Sequence, residues 1–141
     1  MRPTAGAAVL AAFSTIALSP VAQATPSTGV TGNILARTTI GDHDYILREI
    51  TIEPGGTTGW HFHDGTLYAA VRSGTLSHYD ASCEPDGIRE PGAVFVEPGG
   101  RGYVHVGRNL GTQPLVLEVL YVLPVGSPLS EDIANPGCGF E

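Results

Sequence analysis

The chain has 141 residues, 42% of them hydrophobic, a length typical of one domain. It carries 14 acidic and 7 basic residues, for a formal net charge of −7, and none of the basic residues is a lysine. Nucleic acids and anionic membranes both require a clustered basic surface, and the scattered arginines argue against either partner.

The beginning of the chain has the three parts of a secretory signal peptide. A positively charged start precedes an apolar run over 5–18, and Ala22 and Ala24 supply the small residues of a cleavage site. The run is shorter than the roughly 20 residues of a membrane-spanning helix, and an uncleaved anchor is the alternative. We predict a secreted protein, extracellular or periplasmic, with a signal peptide at 1–24 and one domain at 25–141 that makes no membrane contact.

The rest of the chain alternates short β-branched and aromatic runs with Gly, Pro and Asp, and it lacks a sustained 3.6-residue apolar period. This pattern is typical of all-β proteins. Seven strands without intervening helices indicate a sandwich or a small barrel. In chain order the predicted strands are Asn33–Ile40, Tyr45–Ile52, Leu67–Arg72, Thr75–Tyr79, Ala93–Val96, Tyr103–Val106 and Leu115–Leu123.

Histidines suggest a metal site. His61 and His63 flank Phe62, and residues two apart in a strand point to the same face, so both imidazoles can reach one ion at about 2.0–2.1 Å. His105, in a later strand-like run, is the candidate third ligand. Imidazoles suit Zn, Cu, Fe and Ni better than Mg or Ca, and we predict one divalent transition-metal ion, with Mn also among the candidates.

Two segments resemble the conserved motifs of the cupin superfamily. The first motif is G, five residues, H-x-H, three or four residues, E, six residues, G; the second is G, five residues, P-x-G, two residues, H, three residues, N. The matching residues are Gly55, His61, His63 and Gly74, then Gly92, Pro98, Gly100, His105 and Asn109, with four residues between Gly100 and His105.

The motifs and their strands span residues 30–125. The chain is therefore similar to small single-domain bacterial cupins with a type-2-like conserved barrel. The resemblance implies an all-β fold with one cupin-type jelly-roll β-barrel, whose core is expected over 30–125.

The resemblance departs at the motif's glutamate. Leu67 stands in its place, and Tyr68 is the other position that the spacing allows. Neither can act as a hard oxygen ligand in the way that the glutamate does. The resemblance then implies a three-histidine site, similar to that of thiol dioxygenases, which use ferrous iron and oxygen. Loss of the glutamate is equally consistent with loss of the metal. Asp64 is an alternative oxygen ligand, although an Asp-Gly turn usually engages its own aspartate.

Other side chains are candidates for supporting roles. Glu97 can accept a hydrogen bond from a ligand imidazole, as residues behind metal ligands commonly do. Trp60 and Tyr103, close to the histidines in sequence, are candidates for the wall of a substrate pocket. We expect His78 at the surface or behind the ligands, and His43 in a solvated loop.

Cys83 and Cys138 are the two cysteines of the chain. An even cysteine count in an exported protein predicts a disulfide, and we expect this one to tether the C-terminal tail, residues 126–141. A redox pair is the alternative, but the C-x-x-C spacing is absent.

Three functions remain open at this level. The first is a binding protein that holds a small molecule in the barrel pocket beside a metal. The second is a metal-dependent oxygenase with a three-histidine site, and the third is a metal-free structural barrel. Whether the protein is an enzyme is undecided, since one fold hosts many functions. The expected partners are a small-molecule ligand or substrate and a second copy in a homodimer, because strand edges need covering.

Overall fold

The computed structural model describes residues 23–141, which form strands and turns without any helix. That part of the chain accordingly holds no helix able to cross a bilayer. The predicted signal peptide lies outside the described residues except for its last two positions. The strands are β1 (Thr28–Ile40), β2 (His43–Thr57), β3 (His61–Phe62), β4 (Thr66–Ser73), β5 (Leu76–Asp80), β6 (Pro85–Arg89), β7 (Val94–Glu97), β8 (His105–Arg108), β9 (Leu115–Pro124) and β10 (Glu131–Asp132).

All strand pairs are antiparallel, and together they form a nearly closed barrel. One half, which we call the apolar sheet, has the order β1-β2-β9-β4-β7. The other half, the histidine sheet, has the order β6-β5-β8-β3-β10. The two halves join where Thr57 of β2 pairs with Arg108 of β8. The all-β barrel predicted from the sequence is confirmed.

Each of the seven predicted strands is present, and several extend beyond their predicted ends. Three further strands were missed: β3 and β10 have two residues each, and β6 occupies a Pro-Asp-Gly segment that reads as a turn. Short strands are hard to predict because their pairing depends on distant partners rather than on a local period.

The hydrophobic core follows the alternation of the apolar sheet. On β9, Leu115, Leu117, Val119, Tyr121 and Leu123 are buried, while the residues between them are half-buried. Successive strand residues point to opposite faces, and the buried set therefore faces the barrel interior. The rest of the core cluster consists of Ile46, Ile50, Ile52, Leu67, Ala69, Val71 and Leu76.

Gly74 shows why a motif glycine is required. It ends the turn between β4 and β5 with a φ of +73°, and a Cβ there would lie 2.7 Å from the Cα of Leu115. A side chain would therefore meet both backbone strain and a clash with the start of β9.

The C-terminal segment closes one end of the barrel. Its strand β10 pairs with β3, and the amide of Ile133 donates to the carbonyl of Trp60 at 2.9 Å. The predicted disulfide between Cys83 and Cys138 is present and joins this segment to the turn between β5 and β6. The tail is thus fixed beside the strand that carries His61.

Candidate metal centre

The three histidines singled out in the sequence come together inside the barrel. His61 on β3 lies directly opposite His105 on β8, and His63 follows β3. Their ring centroids are 4.4 Å apart for His61 and His105, 4.8 Å for His61 and His63, and 5.2 Å for His63 and His105. All three side chains are buried.

Hydrogen bonds to the main chain fix the orientation of each ring. Nδ1 of His61 bonds the carbonyl of Gly59 at 2.8 Å, and Nδ1 of His63 bonds that of Leu129 at 2.7 Å. Nδ1 of His105 bonds the carbonyl of Tyr103 at 3.0 Å. Because a carbonyl only accepts, each Nδ1 donates the hydrogen, which leaves Nε2 of each ring available as a ligand atom.

Glu97 lies much closer to these histidines than its sequence position suggested. It ends β7, and there it pairs with Leu67 of β4, which occupies the place of the motif's glutamate. Directly opposite residues of an antiparallel pair point to the same face. The carboxylate thus reaches the cluster from the neighbouring strand, with Oε2 3.3 Å from Nε2 of His63 and 3.4 Å from Nε2 of His105.

His78 is a fourth histidine of the cluster. It lies on β5, is only 1% exposed, and stacks on His105 with ring centroids 4.8 Å apart. Its Nδ1 bonds the carboxylate of Asp86, and its Nε2 lies 3.2 Å from Oε1 of Glu97. Of the two expected positions, at the surface or behind the ligands, the structure rules out the surface, because β5 is an inner strand of its sheet and this residue faces the barrel interior.

The electrostatics of the cluster call for a positive charge. Burial, with the nearby rings of His105 and His63, lowers the pKa of His61 to about 3. Burial alone would raise the pKa of Glu97, but the facing imidazoles hold it well below its usual range. The Nε2 atoms of His63, His78 and His105 thus face an ionised carboxylate in a buried site, and Nε2 of His105 has no hydrogen-bond partner among the described residues.

These residues fit a divalent transition-metal ion. Ligand atoms of His61, His63 and His105 lie within 4.8 Å of one another, and so do those of His78, Glu97 and His105. Nitrogen and carboxylate ligands bind such ions at about 2.0–2.2 Å, and each of these two groups could hold one ion. We call His61, His63, His78, Glu97 and His105 the metal cluster.

A cavity of about 230 Å³ adjoins the metal cluster. Its apolar wall comes from both sheets and from Leu129 of the tail, and its polar lining outside the cluster includes Arg48, Tyr121 and Asp132. An apolar wall with a few polar groups is typical of a binding site for a small molecule.

Trp60 and Tyr103 do not line this cavity. Trp60 is fully buried beside Phe140, with ring centroids 6.0 Å apart, because it neighbours His61 on a strand and points the opposite way. Tyr103 packs beside His105 and donates its hydroxyl hydrogen to Asp86 at 2.9 Å. Asp64 is exposed, as expected for its turn.

His43 and Asn109 lie outside the metal cluster. His43 lies next to Asp42 with 43% of its side chain exposed. Asn109, the last residue of the second motif, is buried and donates from Nδ2 to the carbonyls of Ile52 and Gln113, both at 2.8 Å. The motif asparagine therefore supports the barrel rather than the site.

No protein-family model matches the chain, and no curated protein matches its sequence. Several solved structures do match the chain in fold. The polyketide cyclase RemF from Streptomyces resistomycificus has a TM-score of 0.62 at 22% identity, over 79% of each chain. A cupin-2 domain from Rhodospirillum rubrum has a TM-score of 0.60 at 17% identity, over 75% of this chain and 66% of that one.

KdgF from a Halomonas species is also similar, with a TM-score of 0.53 at 22% identity over 71% of this chain and 79% of that one. At these identities a likeness shows the fold and leaves the activity open. The chain therefore has the cupin fold that its two sequence motifs predicted.

Proposed function

We propose that this protein binds one divalent transition-metal ion through His61, His63, His105 and Glu97, and holds a small molecule in the adjoining cavity. One observation carries the proposal. The rings of His61, His63 and His105 each use Nδ1 for a hydrogen bond, and Nε2 of His63 and Nε2 of His105 lie 3.3 and 3.4 Å from the buried carboxylate of Glu97. A bound cation converts these facing acceptors into ligands.

The donor set favours some metals over others. Three imidazoles and one carboxylate suit Fe, Mn, Zn, Cu or Ni, whereas Mg and Ca prefer all-oxygen sites. When bound, such an ion would supply a Lewis acid beside the cavity. His61, His63 and His105 would hold it from one side of the barrel, and Glu97 from the other.

Export is part of the proposal. The disulfide between Cys83 and Cys138 is of a kind that persists in oxidising compartments. We therefore propose that the mature protein acts outside the cytoplasm, after removal of residues 1–24.

Metal analysis tests the proposal. Protein purified without a histidine tag, after export by its own leader, is expected to contain about one transition-metal ion per chain. The variants Glu97→Gln and His105→Ala are expected to lose most of it. His43→Ala is the matched control, since it removes an exposed histidine outside the cluster and leaves the metal content unchanged.

Stability gives a second measurement on the same samples. Saturating metal should raise the free energy of unfolding by about 2.7 kcal/mol when the free ion is at 100 times its Kd. Urea titrations of metal-loaded and chelator-treated protein measure this gain, which should shrink in Glu97→Gln. Wild-type protein that takes up no metal would contradict the proposal and favour a metal-free structural barrel.

A metal-dependent enzyme is the second candidate. It is favoured by a chain of hydrogen bonds that leads outward from the cluster, from Glu97 to His78, then to Asp86 and the hydroxyl of Tyr103. Such a chain can hold or move a proton at Nε2 of His78, next to the cavity. The likeness in fold to a polyketide cyclase is compatible with action on a small organic molecule.

The oxygenase form of this candidate has less support than the three-histidine interpretation gave it. Glu97 brings a carboxylate to the site, and the similarity to thiol dioxygenases rested on the absence of one. Oxygen uptake by the ferrous protein, measured with a panel of thiols and diketones, tests this form. Uptake that depends on His105 would support an oxygenase, whereas no uptake with any metal form would favour binding alone.

A further inference from the structure

Arg48 is a charged residue on the inner side of the apolar sheet. It lies on β2 two residues from Ile46 and two from Ile50, both of which are buried in the core. Residues two apart on a strand share a face, and Arg48 accordingly lines the cavity, where it is half-buried.

Arg48 differs from the other arginines in its partners. Six arginines lie within residues 23–141. Five have a carboxylate or an aromatic ring: Arg37 with Asp44, Arg72 with Glu118, Arg89 with Asp86, Arg101 over Phe62 and Arg108 over Phe140. In this part of the chain Arg48 forms neither an ion pair nor a ring contact of this kind.

Two neighbours hold the guanidinium in place. It lies flat against Gly32 of β1, where a Cβ would be only 2.1 Å from Nη2. Tyr121 is the second neighbour: burial raises the pKa of its hydroxyl, and the adjacent charge of Arg48 lowers it. The ring of Tyr121 in turn packs edge-on against His63, with centroids 5.9 Å apart. One tyrosine therefore separates Arg48 from the metal cluster.

The acids of the cavity do not neutralise Arg48. Glu97 is engaged by His63, His78 and His105, and Asp132 lies 3.5 Å from the hydroxyl of Ser130. Placing an unpaired charge in a partly desolvated cavity is costly unless a partner of opposite charge arrives. A ligand with an anionic group would supply that partner.

We propose that Arg48 binds the carboxylate of a small, largely apolar carboxylic acid whose other end faces the metal cluster. The planar fork of a guanidinium matches the two oxygens of a carboxylate. The apolar body would pack against residues such as Ile50, Val119 and Leu129. This inference rests on the proposed function for the role of the metal, while the contact with Arg48 can be measured by itself.

Benzoate and its neutral analogue benzamide are suitable probes, because they share shape and apolar area and differ in charge. Isothermal titration calorimetry on wild-type protein is expected to show tighter binding of benzoate. Arg48→Gln should weaken benzoate binding about tenfold or more, as expected for a charge-assisted pair, and leave benzamide unchanged. Arg72→Gln is the matched control, since it removes the same charge from an exposed pair.

A second variant keeps the charge and moves it. Gly32→Ala should push the flexible guanidinium aside, since the added Cβ meets the end of the Arg48 side chain rather than backbone. Benzoate binding should weaken again, with benzamide unaffected. This variant therefore tests whether benzoate binding depends on where the charge lies as well as on whether it is present.

Metal content, measured on every sample, separates this inference from the proposed function. Arg48-dependent binding of benzoate in chelator-treated protein would support the inference even if the metal proposal failed. Equal affinity for the two probes, no binding of benzoate, or a benzoate affinity that changes with metal but not with Arg48→Gln would overturn it.

Discussion

The two sheets of the barrel divide structure from chemistry. Eleven of the twelve residues in the hydrophobic core cluster lie on β2, β4 and β9 of the apolar sheet, and Leu76 is the exception. The histidine sheet instead supplies His61, His78 and His105, and His63 directly follows its strand β3. Stability is concentrated where alternating aliphatic residues pack, which leaves the opposite wall available for polar side chains.

The comparison also shows how the ligand set is assembled. The histidine sheet gives the imidazoles, whereas Glu97 and Arg48 come from the apolar sheet. Neither sheet alone supplies all the residues of the metal cluster. The metal cluster therefore depends on the barrel being closed.

The histidine sheet must be held together by something other than a large apolar core. Its strands β3 and β10 have two residues each, and β8 has four. Hydrogen bonds from the tail and the disulfide at Cys138 fix this side. The following predictions test whether the two sheets can be perturbed separately.

Removing the disulfide should have the largest effect. The double variant Cys83→Ser and Cys138→Ser opens a loop with a sequence separation of 55 residues, and the free energy of unfolding should fall by about 4 kcal/mol in the chain-entropy model. Urea denaturation measures the loss. Hydrogen exchange should rise first in β3 and β10, with β2 and β9 still protected. An equal rise of hydrogen exchange in both sheets would show that the two sheets cannot be perturbed separately.

Truncating the core should come next. Leu115→Ala removes a fully buried side chain of the apolar sheet and should cost about 3 kcal/mol of unfolding free energy. The folded protein should still bind metal, because Leu115 does not line the cavity. Leu110→Ala, at a position 54% exposed, is the control and should change stability by less than about 0.5 kcal/mol. Loss of metal from folded Leu115→Ala protein would argue against separable roles.

Acid should weaken the metal-free protein in a graded way, by a smaller amount for each pH unit. The folded protein disfavours protonated His61, whose pKa is about 3, while the unfolded chain protonates near 6.5. Above pH 6.5 the ring is neutral in both states. As the pH falls toward 3 the unfolded state gains the proton, and stability should drop by at most about 1.4 kcal/mol per pH unit for this group.

Urea titrations of chelator-treated protein at several pH values measure this slope. His61→Asn should flatten it, and His43→Ala should not. A slope unchanged by His61→Asn would show that burial of this ring does not control the acid sensitivity.

The sequence by itself determined seven of the ten strands, the fold and the disulfide. Alternating residues and turn signals are local properties, and two cysteines allow one intramolecular pairing. The spacing of His61 and His63 also indicated a shared direction, and the second motif indicated His105. These inferences needed only local geometry and family motifs.

Tertiary structure alone decided the rest of the site. That Glu97 lies opposite Leu67 depends on the register between β4 and β7, which no local pattern encodes. The burial of His78, the orientation of Trp60 away from the cavity and the inward position of Arg48 likewise follow from which strands become neighbours. Register and neighbours are non-local, because the free energy that sets them comes from packing residues that are distant along the chain.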